Sequence, residues 1–156
     1  MIIDSTVIIS LGLVGKLDLI EEGIIPRMVL NEIQTESIRI SLKEPKFNIS
    51  TPSDKSKRQA LEILGDSMET GDSDIVASLL DFPQSLIATD DKRLRSVCRA
   101  LGGKITGTLG ILIHSARIGK ISKDKALEIL KYLNNTGFRM SLELYEEVQK
   151  NLNEIP

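Results

Sequence analysis

Two short apolar runs in this chain stop at carboxylates with hydroxyls beside them. Met1-Ile2-Ile3 ends at Asp4-Ser5-Thr6, and Ser85-Leu86-Ile87-Ala88 ends at Thr89-Asp90-Asp91. Each run is rich in strand-forming residues, and each is followed by a helical pattern. In a parallel α/β sheet such strand ends lie along one edge, where ligands bind. Segments far apart in sequence thereby aim their acids at one crevice. Clustered carboxylates repel one another and are tolerated mainly around a hard cation. The chemistry indicated is a Mg²⁺ or Mn²⁺ site, and with it phosphate chemistry.

Taken singly, each acid has a structural explanation. Asp4 suits a turn or helix cap, although Ser5 and Thr6 beside it add hydroxyls able to hold a metal-bound water. Glu32, in Val29-Leu30-Asn31-Glu32-Ile33, reads as a solvated helix position. Asp72 and Asp74 open a helix in Gly71-Asp72-Ser73-Asp74-Ile75, and Asp90 and Asp91 start another, where the helix dipole favours negative charge. Together these acid-bearing element ends in one α/β chain carry more weight than any one of them. Neither a histidine nor a cysteine nucleophile is needed. His114 lies in an apolar helix, where a packed or surface role is the default, and Cys98 reads as a small core residue.

Strands and helices alternate along the chain. Strands are expected at Met1–Ile3 (central in the sheet), Gly23–Ile25, Phe47–Ile49, Ser85–Ala88 and Lys104–Thr106. Thr6–Leu13 and Lys16–Glu22 read as a helix broken near Gly15. Pro26, placed at a first helical position, opens a helix through about Ser37. Further helices are expected at Lys55–Leu64, Asp72–Leu80, Asp91–Leu101, Thr108–Ile118, Ser122–Asn134 and Ser141–Asn153, with Ser, Thr or Asp at several starts. Gly102-Gly103 ends one of them. No internal repeat, low-complexity segment or linker interrupts this order, so one domain over 1–156 and a three-layer α/β/α sandwich with a mostly parallel sheet of four to five strands are expected.

Composition agrees. The chain has 156 residues, 41% hydrophobic and 27% charged, which suits a globular fold with a substantial core. The apolar content is mostly Ile, Leu and Val, as in a covered parallel sheet, and the scarcity of aromatics argues against base stacking as the main grip on nucleic acid. The single cysteine excludes an intramolecular disulfide and a cysteine-based zinc site. No apolar run is long enough to span a bilayer and no signal-like segment is evident, so a cytoplasmic location is expected.

The residues also match a family. Ile3-Asp4-Ser5-Thr6, Ile25-Pro26-Arg27-Met28-Val29-Leu30-Asn31-Glu32-Ile33, Gly71-Asp72-Ser73-Asp74, Thr89-Asp90-Asp91-Lys92-Arg93 and Ile105-Thr106-Gly107-Thr108-Leu109-Gly110-Ile111-Leu112 occur in the order and spacing of the PIN-domain ribonucleases. The tail segments Gly137-Phe138-Arg139-Met140-Ser141 and Leu144-Tyr145-Glu146-Glu147-Val148 extend the likeness to nearly the whole chain. The chain resembles a compact prokaryotic branch of that family, which includes the VapC-like toxins. The resemblance implies a Mg²⁺- or Mn²⁺-dependent endoribonuclease, acting as a toxin or in RNA processing, with RNA as substrate and an antitoxin protein or a second copy as partner. Carried over residue by residue, it makes Asp4, Glu32, Asp74 and Asp91 the catalytic acids. Asp4, Asp74 and Asp91 would be the metal ligands, with Asp72 and Asp90 as alternatives beside them. A Glu is usual in that branch where Asp72 stands. Thr6 and Thr89 would orient water or phosphate.

The substrate's charge must also be met. Between Lys92 and Lys104 the chain carries five basic residues and no acid, so Lys92 and Arg93 are placed to meet phosphates beside the cut. Lys55, Lys57 and Arg58 form a weaker cluster. Two other readings stand beside the nuclease. One is a PIN-like domain that binds RNA or protein without cutting. The other is an Asp-dependent phosphatase or phosphotransferase, which usually wants Asp-x-Asp after its first strand, where this chain has Asp4-Ser5-Thr6.

Overall fold

The computed structural model describes residues 1–156. Five strands form one sheet: β1 (Ile2–Ile3), β2 (Gly23–Pro26), β3 (Phe47–Ser50), β4 (Leu86–Ala88) and β5 (Lys104–Thr106). All pairings are parallel and the order is β3-β2-β1-β4-β5. β1 is the central strand, as expected. Its Ile2 and Ile3 are almost wholly buried, which is why the run is continuously apolar rather than alternating.

From β1 the chain winds outward through β2 to β3, then returns to the other side of β1 for β4 and β5. The winding reverses between β1 and β4. The register Ile3 opposite Ala88 brings Asp4 and Thr89 to the same level at the carboxyl edge of these two strands. This is the crevice where a doubly wound sheet binds ligands.

Nine α-helices cover the sheet: α1 (Ser5–Leu13), α2 (Arg27–Glu32), α3 (Glu36–Ser41), α4 (Asp54–Leu64), α5 (Gly71–Asp81), α6 (Lys92–Ala100), α7 (Thr108–Arg117), α8 (Lys123–Asn135) and α9 (Leu142–Asn153). α4, α5 and α6 pack side by side, with α5 laid on β1 and β2, while α1 joins α7 and the α8–α9 pair in a second group. This is the α/β/α sandwich expected from the alternation. Side-chain caps hold several helix starts. Ser53, Ser122 and Ser141 each accept a backbone N–H from the first turn of α4, α8 and α9, and Thr70 with Ser73 forms a capping box on α5.

Three expectations need correction. Lys16–Glu22 is not a helix: a single 3₁₀ turn covers Leu17–Leu19 and the backbone is extended at Ile20. The Lys46 ammonium donates to the Leu17 and Ile20 carbonyls at 3.3 and 2.9 Å, capping the turn from a distant segment. Pro26 is the last residue of β2 rather than a first helical residue, and its extended ψ of 146° caps α2. The helix after it stops at Glu32 instead of continuing to Ser37, and a separate short helix, α3, follows. The break is fixed by Arg39, whose Nη1 donates to the Leu30 and Ile33 carbonyls at 2.8 and 2.9 Å.

Candidate metal centre

Asp4 is the buried end of the site, with only 2% of its surface exposed. Its Oδ2 accepts the hydroxyls of Thr6 and Thr89, both at 2.7 Å. Those hydroxyl oxygens in turn accept backbone N–H groups, Thr6 from Asp90 at 3.0 Å and Thr89 from Asp91 at 3.1 Å. Each N–H fills one side of a threonine oxygen and leaves its proton aimed at Asp4. The two hydroxyls therefore lock one carboxylate oxygen. Oδ1 of Asp4 has no hydrogen-bond partner and is not sealed from solvent, since the only buried unpartnered side-chain atom is Asp74 Oδ1. Because their protons are committed to Asp4, Thr6 and Thr89 act on any ligand through that carboxylate.

Asp91 caps α6. Its Oδ1 accepts the Leu94 N–H at 2.8 Å, which leaves Oδ2 free at the same crevice. Glu32, the last residue of α2, accepts the Gly71 N–H at 2.7 Å through Oε1, while Ser5 donates to Oε2 at 3.4 Å. A Cβ at position 71 would fall within 2.7 Å of the Glu32 carboxylate carbon, so a side chain there would push Glu32 off this contact. Both contacts bring the end of α2 against the start of α5, and with it Asp72.

Asp72 makes no side-chain hydrogen bond and lines an open groove with Glu32, Thr70, Asp66 and Arg93. Burial raises its carboxyl pKa from the ordinary 3.8 to about 6, reinforced by the charges of Asp4, Asp91 and Glu32, with Arg93 opposing. Its electrostatic partners thus include all three acids gathered at the sheet edge. Asp72 is therefore the candidate for the fourth acid.

Asp74, expected in that role, points elsewhere. Two residues apart on a helix means roughly 200° around its axis, so Asp72 and Asp74 cannot share a face. Asp74 is 1% exposed, and its Oδ2 accepts the Met28 N–H at 3.0 Å, pinning the start of α2 to α5. Burial raises its pKa, the Met28 hydrogen bond opposes this, and the charges bearing on it are Lys57, Glu69 and Glu32 rather than Asp4 or Asp91. Asp90 is turned aside too. Its oxygens accept the N–H and hydroxyl of Thr108, at 2.9 and 2.6 Å, and so serve as the cap of α7.

Of the basic candidates, Lys92 is exposed at the start of α6. Arg93 spends its charge within the protein, with Nη2 lying 3.2 Å from both Asp66 oxygens and 3.1 Å from the Leu64 carbonyl. Lys57 lies 3.7 Å from Glu69. His114 is exposed and lines a different groove, with Glu21 and Glu22. Cys98 is fully buried, and burial, with the charges of Asp4 and Asp72, pushes its thiol up to about 12, so it is inert as a nucleophile.

Whether the acids suit a metal ion can be judged from their donors. All are oxygens, and Asp4, Asp91 and Asp72 each keep an oxygen free of hydrogen bonds. Such a set suits a hard cation. No three acidic, His or Cys side chains stand close enough together to hold a metal ion by themselves. A cation that keeps most of its waters and takes one or two carboxylates directly, as Mg²⁺ does, fits this open arrangement; an ion needing an all-protein cage does not.

A parallel sheet sandwiched by helices, its winding reversing between β1 and β4 beside Asp4 and Thr89, defines an α/β/α sandwich. The family model described as a PIN domain matches residues 1–154, and the chain belongs to the PIN-domain family. PIN domains are generally nucleases that use divalent metal ions and bind RNA. No curated protein matches the chain. No helix is long and apolar enough to cross a membrane.

Proposed function

We propose that this protein is a Mg²⁺- or Mn²⁺-dependent endoribonuclease whose working acids are Asp4, Glu32, Asp72 and Asp91. The observation that carries the reading is the environment of Asp72: an unbonded carboxylate in a groove with Glu32 and Asp66, its pKa raised by burial and then by the charges of Asp4, Asp91 and Glu32, with Arg93 opposing. Such a concentration of charge is destabilising unless a cation is held there. The residues that would hold it are Asp4, Asp72 and Asp91. A cation bound there supplies charge to offset the scissile phosphate and lowers the pKa of water.

The protein's own groups supply the rest. Thr6 and Thr89 fix the Asp4 carboxylate in one rotation. Asp91 is fixed by its place at the start of α6, and Glu32 by the Gly71 N–H, which leaves its Oε2 held only by the long Ser5 contact. Glu32 is exposed and stands at the mouth of the groove, where it can accept a proton from an attacking water. The phosphatase reading is weakened by Asp4 itself: a nucleophilic Asp must reach the phosphorus, and this one is buried with one oxygen fully engaged. Toxin and processing roles share this site and differ in the RNA chosen.

The test joins binding and turnover. At about 100 times its Kd, Mn²⁺ should stabilise the protein by ~2.7 kcal/mol, roughly 5–10 °C in Tm for a chain of this size. Asp72→Asn should lose most of that response. Mn²⁺-dependent cleavage of single-stranded or structured RNA should disappear with EDTA and with Asp91→Asn. Cleavage that survives both would remove the metal mechanism, and RNA binding without cleavage across a broad panel would favour the non-catalytic reading.

A further inference from the structure

The charges on the two sides of the acid cluster differ in kind. On the α5 side the groove is lined by Glu32, Asp66, Asp72 and Arg93, and the arginine is already paired with Asp66. A phosphate strand entering there meets unrelieved negative charge. On the α6 side a second groove is lined by Asp90, Lys92 and Arg95 and by Phe138, Arg139 and Leu144 from the turn joining α8 to α9 and the start of α9. Asp90 is spent on Thr108, and the Arg95 Nη1 donates to the Thr89 carbonyl at 3.0 Å. Lys92 and Arg139 are exposed, and neither has an ion pair or side-chain hydrogen bond. The partly exposed ring of Phe138, resting on the core, lines the same groove.

Resting on the nuclease reading above, we infer that a single RNA strand leaves the acid cluster over α6, with Lys92 and Arg139 on its phosphates and a base stacked on Phe138. Free cations and an aromatic face lining one groove are the elements of a single-strand binding track. Lys92 directly follows Asp91, so the track starts at the acids. Arg93, although adjacent in sequence, belongs to the other groove and tethers the loop after α4. The groove residues bind and position the strand; they touch no reacting atom.

The experiment measures binding of a labelled single-stranded 15-nucleotide oligouridine in EDTA as salt is varied, alongside the Mn²⁺-induced rise in Tm. Lys92→Ala and Arg139→Ala should each lower the slope of log K against log salt by roughly 0.7. Phe138→Leu, which keeps an apolar side chain against the core, should weaken binding roughly ten-fold with the slope unchanged. Arg58→Ala, an equal loss of charge on α4, should change neither quantity. All these variants should keep the full Mn²⁺ response. Loss of affinity as large in Arg93→Ala as in Arg139→Ala places the strand on the other side and overturns the inference. So does a Phe138→Leu protein that binds like wild type, or a wild type that binds no oligouridine while responding to Mn²⁺. A wild type without Mn²⁺ response or cleavage sinks the nuclease reading instead, and the oligouridine data then stand alone.

Discussion

Between Asp72 and its neighbours the repulsion has one internal source of relief, Arg93, and that arginine is shared with Asp66. The consequence for stability has a definite sign. The folded protein binds the Asp72 proton more tightly than the unfolded chain does, from an ordinary 3.8 up to about 6. Folding is therefore least penalised by this group below pH 4, loses that advantage as pH rises through about 6, and carries the whole penalty above it. A tenfold change in proton affinity is worth about 1.4 kcal/mol; discounted for partial exposure to solvent, the effect is on the order of 1–2 kcal/mol. Metal-free Asp72→Asn should accordingly be more stable than wild type at pH 7.5, with the gap closing towards pH 4. Urea denaturation in EDTA at several pH values checks this, and a gap independent of pH would show that Asp72 does not feel the cluster. Which aspartate of Gly71-Asp72-Ser73-Asp74 joins the site was not legible in the sequence. Both sit in a first helical turn, and only the rotation of α5 against α2 separates a free carboxylate from one tied to Met28. The same holds for Asp90 and Asp91, divided by which helix start each one caps. That Asp4, Glu32 and Asp91 lie just beyond the carboxyl ends of β1, β2 and β4 was legible, because it follows from element boundaries.

At the scale of elements, helices announced by a local cap were readable to within a residue or two. Ser53, Ser122 and Ser141 precede α4, α8 and α9 with no distant partner needed. Elements shaped from afar were not. Ile33-Gln34-Thr35 contains no Gly or Pro, yet the helix breaks there because Arg39 reaches back to take the last carbonyls of α2. That contact also holds Glu32 beside Gly71, since Glu32 directly precedes Ile33. Arg39→Met keeps the apolar stem and removes two charge-assisted hydrogen bonds, at a cost of about 2 kcal/mol. It should lower Mn²⁺-dependent cleavage as well, while RNA affinity in EDTA stays unchanged. Denaturation curves, cleavage rates and oligouridine binding together check this. A variant within 0.5 kcal/mol of wild type would mean that the break forms without Arg39 (a surface change usually costs no more than about that).

For the whole molecule, the decisive property is that the central strand is joined to both halves. β1 pairs with β2 and β4, and its isoleucines belong to one core cluster that runs from Ile2 to Leu152. A chain cut after Asp81 lacks β4 and β5 and exposes one flank of β1 together with much of that core. It should show no cooperative unfolding transition in urea, although α4 and α5 can retain some helicity. A sharp transition in that fragment would show that β1 and β2 with their helices fold without the second half.

The hydrogen bond from Thr89 to Asp4 joins residues 85 positions apart. During synthesis Asp4 leaves the ribosome long before its partner exists. At roughly 5–20 residues per second, about 4–17 s separate the two. Throughout that interval the nascent chain holds Asp4, and for the later part of it Glu32, but neither Thr89 nor Asp91. The delay is a property of strand order: a sheet whose first-made strand is its middle one cannot close its crevice early. A chain that cuts RNA, in the reading given above, thus begins translation unable to act on the message being read.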